Sequence, residues 1–174
     1  EVIDEAFKKF PKEVQGETIA EIKQKLQGRR KNLQKISDNY FKYLNEFQVI
    51  TGTNKDDWFE IERFSNGETK ITVYNIKDGE KGAIIHQRTY NSDITKEIWL
   101  FGLDDADRFT SKGFNGNGNI KIKIIGGLSN DLYDLKSEKN IKVFDYKSTK
   151  NTFITEKISR KLTDDYDINN YDFT

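Results

Sequence analysis

The sequence predicts a mainly β protein with an N-terminal α-helical hairpin, its short strands stacked as a β-solenoid-like array or a β-sandwich. Three observations carry this. The first is a pattern written twice at an offset of 24 residues. Ile98-Trp-Leu-Phe-Gly-Leu-Asp-Asp-Ala-Asp-Arg-Phe109 lies over Ile122-Lys-Ile-Ile-Gly-Gly-Leu-Ser-Asn-Asp-Leu-Tyr133, so that Gly102 falls over Gly126, Asp107 over Asp131 and Phe109 over Tyr133. Ile141 to Phe153 follows as a third, worn unit with a shortened spacer and no glycine pair. A fixed period of this size marks a unit that buries its apolar face against its neighbour. The second observation is an Asn66-Gly67 turn between two alternating runs, Trp58–Phe64 and Thr69–Ile76, the strongest local hairpin signal a sequence carries. The third is apolar spacing of helical period before residue 50.

In chain order, Ile3, Phe7 and Phe10 suggest a short helix, and Pro11 opens a further turn to Gln15 with Gly16 as its stop. Thr18-Ile-Ala-Glu21 has the spacing of a capping box. Ile19, Ile22 and Leu26 then share one helix face, which Gly28 is expected to weaken or end. From Asn32 a second stripe runs through Leu33, Ile36, Tyr40, Tyr43, Leu44 and Phe47, making two helices that pack against the β part. Gly52 to Asp57 separates helix from strand. Asp78-Gly79 and Lys81-Gly82 turn into a strand from Ala83 to Tyr90. The loop Gly113-Phe-Asn-Gly-Asn-Gly118 reads as a long turn, because a phosphate cradle needs a following helix N-terminus and a strand, Asn119–Ile125, follows instead. The resulting division is a helical segment at 1–50, a β-repeat domain at 51–160 and an acidic, aromatic strap or linker at 161–174.

The charges balance, 29 basic against 29 acidic residues, so no overall field draws this chain to nucleic acid or an anionic membrane. Arg29-Arg30-Lys31 is the dense basic cluster, and it reads as a solvated helix junction. The absence of cysteine excludes disulfides and thiolate chemistry from these residues. No apolar run is long enough to cross a bilayer. A start at Glu1 and a lack of methionine suggest a domain excised from a longer chain.

Reactive constellations are sparse. His86 is the single histidine and sits in an alternating strand, as an ordinary half-buried residue would. The candidate site is the repeat corner, where Asp104-Asp105-Ala106-Asp107 and Gly126 to Asp131 resemble the calcium-binding glycine-aspartate nonapeptide of β-roll toxins. Asp105, Asp107, Asn130 and Asp131 are the candidate calcium ligands. Ser129 replaces a glycine of that motif, and the period is 24 in place of nine-residue half-turns. The same residues also suit tight turns, where Asp and Asn accept amide bonds. Trp58 and Trp99 are candidate stacking platforms for a sugar, or core residues. Paired-carboxylate hydrolysis would have Asp104, Asp105 or Asp107 to draw on.

Several segments in order, among them Gly28-Arg-Arg-Lys-Asn-Leu33, Thr51-Gly-Thr-Asn-Lys-Asp56, Gln87-Arg-Thr-Tyr90, Thr95 to Asp105, Ile125 to Asp131 and Lys161-Leu-Thr-Asp-Asp-Tyr166, resemble a region of large Bacteroidetes surface proteins. In these a calcineurin-like metallophosphoesterase domain precedes the region and a surface-antigen-type outer-membrane β-barrel follows it. The resemblance implies a connecting domain in the periplasm or at the cell surface, whose partners are the neighbouring domains of its own chain. The phosphoesterase's metal-binding Gly-Asp-x-His and Gly-Asn-His-Asp strings are absent from these residues, so that activity carries over to none of them. The expected function is a non-catalytic structural or interaction module that needs no cofactor. The alternatives are a calcium- or carbohydrate-binding β-solenoid and, more remotely, a hydrolase fragment.

Overall fold

The computed structural model describes residues 2–116 and 120–171, which fall into two compact units, Glu1–Tyr43 and Leu44–Thr174. Asn117, Gly118 and Asn119 of the expected glycine-rich turn and strand, and 172–174 of the expected strap, lie outside the described residues.

The first unit holds helix α1 (Val2–Lys8), a 3-10 turn at Lys12–Val14 after Pro11, and most of helix α2 (Glu17–Glu46). This corrects the predicted hairpin, for α2 runs unbroken through Gly28. A mid-helix glycine costs only about 1 kcal/mol, and the flanking Lys, Gln, Leu and Arg residues are good helix formers. Thr18 therefore lies within the first turn. Asp4 of α1 pairs with Lys23 of α2 at 2.8 Å and accepts from Gln27 at 3.0 Å, so α1 folds back along one side of α2. The Lys23 ammonium, first of all, holds the Asp4 carboxyl down at about 2. No residue of α2 is fully buried.

The second unit begins earlier than the sequence boundary, because Phe47, read as the end of a helical stripe, opens a strand. Among the described residues the strands are β1 (Phe47–Thr51), β2 (Asp57–Arg63), β3 (Glu68–Lys77), β4 (Glu80–Asn91), β5 (Glu97–Leu103), β6 (Arg108–Gly113), β7 (Lys121–Gly127), β8 (Leu132–Leu135), β9 (Ile141–Asp145), β10 (Thr152–Phe153) and β11 (Ser159–Leu162). They form a sheet of order β1-β5-β7-β9-β11 and another of order β10-β8-β6-β2-β3-β4. The chain alternates between the two. Each strand of the first sheet except the last, β11, leads through a corner into a strand of the second, and each layer pairs in parallel register with the one before it. Ile98 faces Ile122, and Ile122 faces Ile141; Phe59 faces Phe109, and Phe109 faces Tyr133. The successive units are thus layers and not an antiparallel meander.

β3 and β4 interrupt this alternation. β2 and β3 form the hairpin predicted at Asn66-Gly67, β3 and β4 a second one, and β2 pairs antiparallel with β3 on one side and parallel with β6 on the other. Asp78 and Gly79 both take positive φ at the tip of the β3–β4 hairpin, 54° and 81°, the geometry that matches the twist of a two-residue hairpin.

Between the sheets lie Ile98, Leu100, Ile122, Ile124 and Val143 from the first, and Phe59, Ile61, Phe109, Tyr133 and Leu135 from the second, all at most 1% exposed. The rings of Phe59, Phe109, Tyr133 and Phe153 form one continuous stack, with centroids 4.7, 5.2 and 4.7 Å apart. The C-terminal segment corrects the predicted strap. Lys161 and Leu162 belong to β11, and Asp165 caps helix α3 (Tyr166–Asn169) by accepting from the Asp167 amide. Beyond α3, the Tyr171 ring packs on Phe101 at 4.7 Å.

Candidate functional site

The layers turn at corners of one recurring form: glycine, four residues, an acid, one residue, an aromatic. It is Gly52-x4-Asp57-x-Phe59, then Gly102-x4-Asp107-x-Phe109, then Gly126-x4-Asp131-x-Tyr133. The fourth corner departs from it, with Asp145 at the glycine position and Asn151 at the acid position. Each part has a physical reason. The acids turn inward and bridge layers: Asp57 N–H donates to Asp107 Oδ1, Asp107 N–H to Asp131 Oδ1, and Asp131 N–H to Asn151 Oδ1, each at 2.8 Å. The glycines leave room for the other carboxylate oxygen. A β-carbon at Gly102 would collide with Asp107 Oδ2, and one at Gly126 with Asp131 Oδ2, Tyr133 Oη and Asp145 Oδ2. The aromatic two residues on then enters the ring stack.

This column is buried and acidic, which sets its protonation. Burial, reinforced by the charges of Asp131 and Asp57, pushes the Asp107 carboxyl up to about 9. Burial, with Asp145 close by, takes Asp131 to about 8. Asp145, which accepts from Tyr133 Oη at 2.6 Å and from the Tyr146 amide at 2.6 Å, is raised to about 6, mainly by burial. Burial also raises Asp57, against the Thr53 amide and hydroxyl that donate to its Oδ2. Close carboxyls in a low-dielectric site cannot all ionise, so at neutral pH Asp107 and Asp131 are largely protonated. Asn151 shows the same requirement met by a neutral side chain. Its Oδ1 accepts from Asp131, while its Nδ2 donates to Tyr146 O and Thr149 Oγ1 at 3.2 and 2.7 Å.

The four calcium candidates separate into two roles. Asp107 and Asp131 are 1% exposed and belong to the column. Asp105 and Asn130 sit outside on the corners, where Asp105 takes φ 63° and donates its amide to Asp104, and Asn130 Oδ1 accepts from the Lys150 amide at 2.7 Å. Asp56 makes the equivalent outer bond to Ala106 N–H at 3.0 Å. The four do not converge on one point, and among the described residues no three His, Cys, Asp or Glu side chains group as metal ligands.

The other candidates are also accounted for. Trp58 has Lys81 and Arg108 over its ring at 4.9 and 5.1 Å and donates to Thr110 Oγ1 at 2.9 Å. Trp99 meets Phe47 edge-on at 5.2 Å, carries Lys123 at 4.2 Å and donates to Glu97. His86 lies on β4 with Tyr90 Oη 3.4 Å from its Nε2, and burial followed by Arg88 lowers its pKa. Asp104, with Thr51, Asn54, Leu103, Leu128 and Tyr166, borders an open cleft of about 470 Å³ beside the corners.

No family model, curated relative or solved structure matches this chain.

Sequence reasoning missed Asp57, Asp145 and Asn151 as members of the column. The signal for Asp57 was present, since Gly52-x4-Asp57-x-Phe59 keeps the later spacing. The β3–β4 insertion hid it by placing Gly52 50 residues before Gly102, where Gly102 precedes Gly126 by 24. The Tyr133 hydroxyl had no sequence signal, because its partner Asp145 is brought over Gly126 only by the stacking of layers. No helix among the described residues is long and apolar enough to cross a membrane.

Proposed function

We propose that the unit from Leu44 onward is a β-solenoid serving as a non-catalytic connecting module. In this reading it belongs to an exported, outer-membrane-associated protein, between a phosphoesterase domain and a β-barrel, as the resemblance to the Bacteroidetes surface proteins implies. One observation carries the non-catalytic part. The acids of the repeat corners point inward, and each of Asp107, Asp131 and Asn151 accepts the amide of the preceding corner. A general acid or base has to reach substrate within hydrogen-bond distance, and Asp107 and Asp131 are enclosed by the glycines and rings of their own layers. The parallel stack of layers supports a spacer role, since it fixes the separation of what precedes and follows it.

The test is a panel of phosphate esters and glycosides incubated with the chain, with and without divalent metal. The expected result is hydrolysis no faster than the blank. Turnover that disappears in Asp107→Asn would place chemistry in the column and end this reading. The calcium alternative is tested separately by calorimetric titration, with no heat and no melting shift expected, because Asp107 and Asp131 carry protons and Asn130 Oδ1 is already bonded.

A further inference from the structure

We infer that α2 is one strand of an antiparallel two-stranded coiled coil whose other strand is α2 of a second copy of this chain. The inference stands apart from the role proposed above and rests on the helix alone. Leu26, Leu33 and Tyr40 recur every seventh residue, as do Arg29, Ile36 and Tyr43 between them. That 3-4 alternation is the seam of a left-handed coiled coil, a narrower stripe than a helix lying on a globular core presents. The seam is open. Leu33, Ile36, Tyr40 and Tyr43 are 63%, 58%, 62% and 74% exposed, an apolar strip that a soluble chain rarely leaves uncovered. α1 is bound to the flank at Lys23 and Gln27, beside which Leu26 is still 37% exposed.

Charge selects the occupant's direction. In a parallel, in-register pair, Arg29 would face Arg29 of the second copy across the seam, and Lys25 would flank its Arg30, so like charges meet twice. Reversing one helix removes both clashes. With Leu33 set against Ile36 of the second copy, Leu26 meets its Tyr43 and Arg29 lies over its Tyr40 ring, a cation on an aromatic face. In the same register the flanking Lys25 faces Glu46 of the second copy, and Asn32 faces its Asn39. Each contact occurs twice by the two-fold axis, so the helix is complementary to itself in reverse in that register.

The test uses the full chain. Sedimentation should give twice the 20.3 kDa chain mass at micromolar concentration, and Leu33→Asp with Ile36→Asp should give a monomer whose β-sheet circular dichroism is unchanged. Lys25→Glu should weaken self-association roughly tenfold, and adding Glu46→Lys should restore it. The chain has no cysteine, so introduced thiols report direction. Lys25→Cys chains mixed with Glu46→Cys chains should form a disulfide-linked pair under mild oxidation, and neither variant should link to itself. A monomeric unmodified chain, a dimer that survives the two aspartates, or Lys25→Cys linked to itself would each overturn the inference.

Discussion

The ring of Phe109 lies flat on that of Tyr133, centroids 5.2 Å apart and planes 7° from parallel. Their separation in the chain equals the repeat offset of 24 residues, so each ring is the other's counterpart one layer on. Phe59 and Phe153 extend the same stack on either side. Phe109→Ala should therefore remove contacts from two layers at once and cost roughly 3–5 kcal/mol. Tyr133→Phe keeps the stack and loses only the hydroxyl bond to Asp145, a cost of about 1–3 kcal/mol. Urea unfolding followed by tryptophan fluorescence separates the two, and equal losses would mean that the stack contributes little beyond that one bond.

The acidic column makes stability depend on pH in an unusual direction. Asp107, Asp131 and Asp145 have folded values of about 9, 8 and 6 against a reference of 3.8. Between those limits the folded chain binds more protons than the unfolded one, so stability falls as pH rises. The contribution is fully present below 3.8 and is lost progressively as pH climbs through 6, 8 and 9. Melting temperature measured from pH 4 to pH 9 should drop across that range.

Asp131→Asn tests the same point by another route. It copies Asn151, which does the same work without a charge. The variant should flatten the pH profile and stabilise the protein at pH 8 by on the order of 2 kcal/mol. A profile as steep as that of the unmodified chain would show that Asp131 does not titrate as its burial requires.

Gly126 and Gly28 should respond oppositely to alanine. At Gly126 a β-carbon meets three oxygens, from Asp131, Tyr133 and Asp145, so Gly126→Ala should cost about 3 kcal/mol or abolish folding. At Gly28 nothing lies within 4 Å, so Gly28→Ala should raise the helicity of α2 by the usual preference of about 1 kcal/mol. Thermal melts followed in the β and helix regions of the circular dichroism spectrum read both.

Arg63 is 2% exposed and donates to the carbonyls of Lys139 and Ile120, the latter at 3.1 Å. Burial lowers it to about 10, against the favourable charge of Glu138, so it remains a cation and stays hydrogen-bonded. Arg63→Met fills a similar volume but leaves those carbonyls unpaired, and should cost roughly 3 kcal/mol. Loosening should appear as faster amide exchange at Lys121 and Ile122. Unchanged exchange would mean that the start of β7 holds its place without the arginine.

The repeat was legible because each layer needs the same three things at its corner: space, an amide acceptor and a ring. Gly102, Asp107 and Phe109 supply them and are repeated 24 residues later. The hairpin at Asn66-Gly67 was legible because its turn is local. Three things were not. Gly28 looked like a place where the helix weakens or ends, since a single glycine carries no information about the helical residues that run on from Glu17 to Glu46 on both sides of it. Phe47 continued a helical stripe in spacing, yet β1 draws it into a strand by pairing with Glu97 and its neighbours. That the Asp107 carboxyl faces inward was not legible either, because sequence does not show which way a corner carboxylate turns.

The sequence by itself determined the layer: its strand lengths, the position of its bend and the identity of its stacked ring, all of which depend on residues within one period. Only the tertiary structure decided what the acids face, because their partners lie one layer away. It brings the Asp107 and Asp131 carboxyls inside, against the amides of Asp57 and Asp107. There the loss of water, which no single stretch of chain can encode, turns residues that would be anions at a surface into neutral acceptors that join one layer to the next.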